Sequence, residues 1–161
     1  MITFVLDVDG VLTNGKFLYS AEGKVMKEFG PDDSDALKLL SKFVHVVFMS
    51  QDSRGYKITE KRIKDMGFEL LNIPSTNRAD IIKRTFGLDN TIYMGDSFLD
   101  IPTAEACKWS ICPANASSYL KTVVSYVTKT NGGERAVAEA CFWIVKNILK
   151  YNVDDFIRGK L

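Results

Sequence analysis

The sequence predicts an α/β fold, a doubly wound parallel sheet with helices on both faces. Three observations lead there. Short apolar runs recur at residues 2–6, 43–50, 68–73, 91–94 and 109–112, each bounded by polar or glycine-containing turns, as buried strands are. The stretches between them space their apolar residues as helices do. Strands that alternate with helices build parallel sheets, whose crossovers cover both faces.

The elements follow in order. Residues 2–6 form the first strand and lead into Asp7-Val8-Asp9-Gly10. Residues 16–19 and 25–29 flank Ser20-Ala21-Glu22-Gly23, a β-hairpin too short for a second domain that reads as a flap over the end of the first strand. Residues 32–41 are helical, with Asp32, Asp33 or Ser34 as caps and Ala36, Leu37, Leu39 and Leu40 as the apolar face. The second strand ends at Ser50. A helix over 58–66 closes at Gly67. After a third strand, a helix over 77–86 stops at Gly87. The fourth strand, Thr91–Met94, ends in Gly95-Asp96-Ser97, and a short helix with Pro102 in its first turn follows. The fifth strand spans 109–112. A helix over 117–123, a short strand over 125–128 and a long helix over 135–151 complete the pattern, a Rossmann-like arrangement. Two readings stand for residues 152–161: a polar tail, or a segment that docks on a neighbouring subunit.

Composition narrows the function classes. The 161 residues, 46% hydrophobic and 25% charged, suit one domain over 1–161 that needs no disulfide staples. A net charge of +1 gives no support for nucleic acid or a membrane surface as partner. No apolar run approaches the roughly 20 residues of a membrane span, and no leader precedes the first strand, so a cytoplasmic protein is expected. Cys107, Cys112 and Cys141 lack metal-ligand spacing and read as free buried thiols. The single histidine, His45, lies inside an apolar strand, which argues against a histidine-based triad.

In a parallel sheet the carboxyl ends of all strands share one edge, where ligands bind. Asp7, Asp9, Ser50, Asp96 and Asp100 fall there. Asp7 and Asp9 alone fit either a turn or a cation site, because close carboxylates repel unless a cation or a shared proton relieves them. Asp96 supplies a third carboxylate for a hard cation such as Mg²⁺. Asp100, about one helical turn on, can orient Asp96 or a metal-bound water. Ser50 can donate to a phosphate oxygen, and helix starts near Ser50 and Asn77 add N–H donors for an anion.

The ordered pair Leu6-Asp7-Val8-Asp9-Gly10-Val11-Leu12-Thr13 and Gly95-Asp96-Ser97-Phe98-Leu99-Asp100 resembles the haloacid dehalogenase-like phosphatases over nearly the whole chain. The hairpin ending in Phe29, Tyr126-Val127-Thr128 and Gly132-Gly133 resemble its branch of 3-deoxy-D-manno-octulosonate 8-phosphate phosphatases, which lack a cap domain. The resemblance implies a Mg²⁺-dependent phosphomonoesterase for a sugar-acid phosphate (an octulosonate 8-phosphate or a nonulosonate 9-phosphate), of the kind used in surface polysaccharide synthesis. It also implies a homotetramer joined through the flaps, with a neighbour covering each site. The alternative is a catalytically weakened module for oligomerisation or for binding a sugar-acid cytidylyltransferase.

Residue by residue, the resemblance implies Asp7 as nucleophile, Asp9 as acid and base, and Ser50 as phosphoryl ligand. It implies Mg²⁺ on Asp7, the Asp9 carbonyl and Asp96. The cation at a helix start falls on Arg78 in Thr76-Asn77-Arg78, favoured over Lys83 because Lys83 lies more than a turn further in. Asp33, Arg54 and Arg135 stand where substrate contacts are implied, although Asp33 also fits a helix cap and the two arginines also fit solvated surface. Gln51 and Ser34 replace glycines of the family, and Glu134 stands where it has a cation.

Overall fold

A computed structural model describes residues 1–73 and 77–161; Thr76 of the Thr76-Asn77-Arg78 segment lies outside them. Six parallel strands form the main sheet: β1 (Thr3–Leu6), β4 (His45–Ser50), β5 (Glu69–Asn72), β6 (Thr91–Met94), β7 (Trp109–Cys112) and β8 (Tyr126–Val127), in the order β5-β4-β1-β6-β7-β8. Strands β2 (Leu18–Ser20) and β3 (Gly23–Met26) pair antiparallel as the hairpin flap. Every residue of β1 is buried, as expected of a central parallel strand covered on both faces.

Period-two alternation sorts the side chains into two cores. Phe4, Leu6, Phe48, Ile92, Met94 and Ile111 face one side. There they pack against the helices α1 (Asp32–Leu40), α2 (Tyr56–Met66), α6 (Ala136–Asn147) and α7 (Val153–Ile157). Val5, Met49, Tyr93 and Cys112 face the other side. Their partners come from α3 (Arg78–Thr85), α4 (Ile101–Ala106) and α5 (Ser118–Lys121).

Two expectations change. The long helix ends at Asn147 rather than 151, and residues 152–161 are not a simple polar tail. Asn152 caps α7 through a bond from the Asp155 N–H, and Phe156 is buried against Phe43 and Phe142. One aromatic in a polar segment is a weak sequence signal, but it is enough to dock a single turn.

The caps also differ. None of Asp32, Asp33 or Ser34 caps its own helix: α1 starts after Pro31 with no side-chain cap. Asp33 instead accepts the Ala138 N–H, 2.8 Å away, and so satisfies the first turn of α6. A sequence shows local caps well and cross-helix caps hardly at all, because the partner is 105 residues distant. Gly67 does close α2, in the left-handed conformation (φ 82°).

The chain visits β1, β4 and β5 in one direction and then β6, β7 and β8 in the other. β1 therefore lies between β4 and β6 at the point where the order reverses, which opens a crevice at the carboxyl edge. Leu6 is level with Phe48 and Met94, so the loops that follow emerge side by side.

Candidate active site

A cleft of about 540 Å³ opens at that edge, lined by Asp7, Asp9, Ser50, Gln51, Asp52, Arg78, Ser97, Phe98, Leu99, Asp100 and Pro102. Asp7 and Asp9 lie just beyond β1 rather than on it, yet both face the cleft, with Val8 buried between them. The Asp7 N–H still continues the ladder to Met94, at 2.9 Å.

The loop is shaped by its small residues. Gly10 has φ +85°, and a Cβ there would lie 1.9 Å from Asp96 Oδ2. Only glycine lets Asp96 reach the first loop. The buried Thr13 hydroxyl accepts the N–H groups of Gly10 and Gly15. Gly132 lies so close that a Cβ would meet the Gly10 carbonyl at 1.9 Å, and the Gly133 N–H donates to the Val11 carbonyl. The glycine pair thus braces this loop from behind.

Asp96 and Asp100 belong to one turn. Asp100 Oδ2 accepts the N–H groups of Asp96 (3.0 Å) and Ser97 (2.9 Å), while the Ser97 side chain caps the same turn. Asp100 Oδ1 accepts from the Tyr93 hydroxyl (2.6 Å) and from Arg78 Nη1 (2.7 Å). Arg78 Nη1 also reaches the Tyr93 oxygen at 2.5 Å, and Nη2 lies 3.1 Å from Asp7 Oδ1. Arg78 thus enters the cleft from the first turn of α3, whereas Lys83 is exposed in the last turn of that helix.

Oxygens of Asp7, Asp96 and Asp100 all lie within 4.8 Å of one another. Burial, opposed by Arg78 and reinforced by Asp100 and Asp96, raises Asp7 to about 7. Burial and the Asp100 and Asp9 charges raise Asp96 to about 6. Burial first, and neighbouring charge second, disfavour full ionisation of these carboxylates, and a small hard cation with oxygen ligands offsets both. The carboxylate cluster contains the expected Asp7 and Asp96 and adds Asp100, expected only to orient them; the Asp9 side chain, expected as acid and base rather than as a cation ligand, points to the flap. Lys27 Nζ lies 2.8 Å from both Asp9 oxygens.

Lys27 is a residue that sequence reasoning missed. It follows the exposed β3 residues Val25 and Met26, yet its side chain is 0% exposed. It also meets Asp52 (2.8 Å) and Thr59 (2.9 Å). Lys24 pairs with Asp52 at 2.8 Å. Although burial opposes it, the two lysines and the Gly55 N–H hold Asp52 well below the usual carboxylate range. Only a basic residue repeating at i and i+3 in the flap hints at this. Tyr93, a buried strand residue with a polar tip, was also missed.

Ser50 stays in the cleft, where it ends β4, is 1% exposed and accepts the Asp52 N–H. The remaining expected residues are dispersed. Arg54 is exposed on the loop before α2. Asp33 and Arg135 line a different cleft, with Gly30, Pro31, Asp32, Gly133 and Glu134. Asp33 is buried as the cap of α6, and Arg135 pairs with Asp32. Glu134 accepts instead from the Asn131 side-chain amide.

Comparison with known proteins adds independent findings. The family model of haloacid dehalogenase-like hydrolases matches residues 79–141. The chain is 34% identical to the 3-deoxy-D-manno-octulosonate 8-phosphate phosphatase of Haemophilus influenzae, over 99% of this chain and 92% of that protein. The cobalt-bound structure of a Haemophilus influenzae phosphatase of that specificity superposes with a TM-score of 0.82 and 32% identity, covering 98% and 95% of the two chains. The Moraxella catarrhalis phosphatase, solved with magnesium, phosphate and 3-deoxy-D-manno-octulosonate, gives a TM-score of 0.85 at 25% identity, with 99% and 92% covered.

Proposed function

The chain belongs to the haloacid dehalogenase-like hydrolases and is a phosphatase; from that premise we propose that it hydrolyses 3-deoxy-D-manno-octulosonate 8-phosphate or a related sugar-acid phosphate. The observation that carries the reading is the placement of Asp7, Asp9, Asp96 and Arg78 around one cleft, together with relatives of that specificity along the full chain.

In this reading Asp7 attacks phosphorus. An oxygen–phosphorus bond forms on its carboxylate as the ester bond to the sugar breaks. Asp9 gives its proton to the departing alkoxide. It then takes a proton from the water that attacks the phosphorylated Asp7, which frees inorganic phosphate. Arg78 and the Ser50 hydroxyl hold phosphoryl oxygens. Asp7, Asp96 and the Asp9 carbonyl would hold Mg²⁺, whose charge would offset the repulsion between the carboxylates and the phosphate dianion. Asp100 fixes the Asp96 loop through the two N–H bonds it accepts.

In this reading the protein is a single-domain, cytoplasmic homotetramer, and the flap supports its association. Phe17, Leu18, Tyr19, Val25 and Met26 are all exposed there, a concentration of apolar surface that association would cover. Phe98 and Leu99 are also exposed at the cleft rim, where a neighbour's cover would exclude water.

Phosphate release from a panel of sugar-acid and neutral sugar phosphates, with Mg²⁺ and with Asp7→Asn as control, tests the activity. Release from 3-deoxy-D-manno-octulosonate 8-phosphate well above the control is expected. Release from neutral sugars alone refutes the substrate class, and no release at all points to a binding module. Light scattering on the eluting protein should give four times the chain mass; a monomer refutes the assembly.

A further inference from the structure

We propose that Lys27 is a positioning residue that aims the carboxylate of Asp9 at the leaving oxygen and ties it to the flap. The inference rests on the phosphatase mechanism above, in which Asp9 carries the proton.

The ammonium of Lys27 has three protons to share among four oxygens of three residues: both of Asp9 at 2.8 Å, one of Asp52 at 2.8 Å and the Thr59 hydroxyl at 2.9 Å. A buried lysine whose donors are all used is a fixed strut rather than a mobile charge. Its acceptors come from three segments: the loop after β1, the loop after β4 and the body of α2. The strut itself is supplied by the flap, one residue past β3. Asp9 has no such brace in its own segment; the Gly10 that follows has a left-handed backbone and no side chain. Removing Lys27 therefore frees the Asp9 side chain to rotate within a cleft of about 540 Å³.

A lysine engaged with both oxygens of Asp9 leaves one bond in place when the other oxygen carries the proton. The acid then keeps its direction in both protonation states. A misplacement on the order of 1 Å costs about 100-fold in rate, and the loss should fall on the step that needs the proton. An alkyl phosphate needs its alkoxide protonated. An aryl phosphate with a stabilised phenolate does not.

The experiment compares wild type with Lys27→Met on 3-deoxy-D-manno-octulosonate 8-phosphate and on p-nitrophenyl phosphate, with Mg²⁺. Rapid mixing isolates the first half-reaction. Turnover of the alkyl ester should fall about 100-fold with KM within about threefold, while the phenolate burst slows by less than about threefold. Lys27→Arg should recover part of the loss. Because Lys27→Met leaves Asp9 and Asp52 facing each other, Lys27→Met/Asp52→Asn is measured beside it and should show the same split. Equal loss on both esters, or none on the alkyl ester, overturns the proposal. So does a wild type that hydrolyses only the aryl ester, since no alkoxide is then protonated. A wild type inactive on both esters refutes the phosphatase reading instead.

Discussion

Gly10→Ala tests the geometry of the carboxylate cluster without touching any charge. The added Cβ would lie 1.9 Å from Asp96 Oδ2, 2.2 Å from Cγ and 2.8 Å from Oδ1. Ordinary contact needs about 3.5 Å, so the carboxylate must retreat by roughly 1.5 Å. Asp96 has little freedom to do so, because its N–H is held by Asp100 and its carbonyl accepts the Ser117 N–H at 2.8 Å. The side chain would rotate out of the cluster instead. A second cost is conformational: φ is +85° at residue 10, and an alanine there loses about 1–2 kcal/mol. Two separable effects should result. Thermal unfolding should shift to lower temperature by the modest conformational cost. Phosphatase activity at fixed Mg²⁺ should fall about 100-fold or more, and part should return as Mg²⁺ is raised. The assay is phosphate release against Mg²⁺ concentration for wild type and Gly10→Ala, with melting curves alongside. An unchanged Mg²⁺ dependence would refute the claim that Gly10 sets the position of Asp96.

Three further outcomes are expected. Asp33→Ala should cost about 1–3 kcal/mol by leaving the Ala138 N–H unpaired, with activity per folded molecule intact; loss of activity at unchanged stability would restore Asp33 to a substrate role. In EDTA the protein should lose stability as pH rises. Folded Asp7 and Asp96 sit near 7 and 6, above the unfolded value, so the native state binds more protons between about pH 4 and 7 and its stability declines through that window. Mg²⁺ should accordingly raise the melting temperature more at pH 7.5 than at pH 5, and a pH-independent increment would contradict the cluster. Phe156→Ala should destabilise by about 3–5 kcal/mol if α7 belongs to the core, read by denaturant unfolding; an effect under about 1 kcal/mol would return residues 152–161 to a loose tail.

The strand pattern was legible because burial on both faces demands continuous apolar runs, and β6 and β7 begin and end where the sequence places them. Helix ends were less legible. The start of α1 is not set by its own acidic residues, and the N-terminus of α6 is satisfied from another helix. Local chemistry proposes a cap, but the energy is gained wherever a buried N–H meets an acceptor.

The candidate site divides in the same way. Asp7, Asp9, Ser50, Asp96 and Asp100 were readable because each terminates or follows a strand, and parallel strands bring their ends to one edge. Arg78 was readable because the family resemblance implies a cation at a helix start, and helix position favoured it over Lys83. Which groups touch was not. The turn of Asp9 toward Lys27, the bracing of Arg78 by Tyr93 and Asp100, and the withdrawal of Asp33 and Arg135 to another cleft join residues 7 to 105 positions apart. By itself, then, the sequence determined the sheet, its reactive edge and the residue types assembled there, since periodicity and strand termini are local properties. The tertiary structure alone decided the partners of each charge, because a buried ion's pairing depends on what the fold brings within about 3 Å of it.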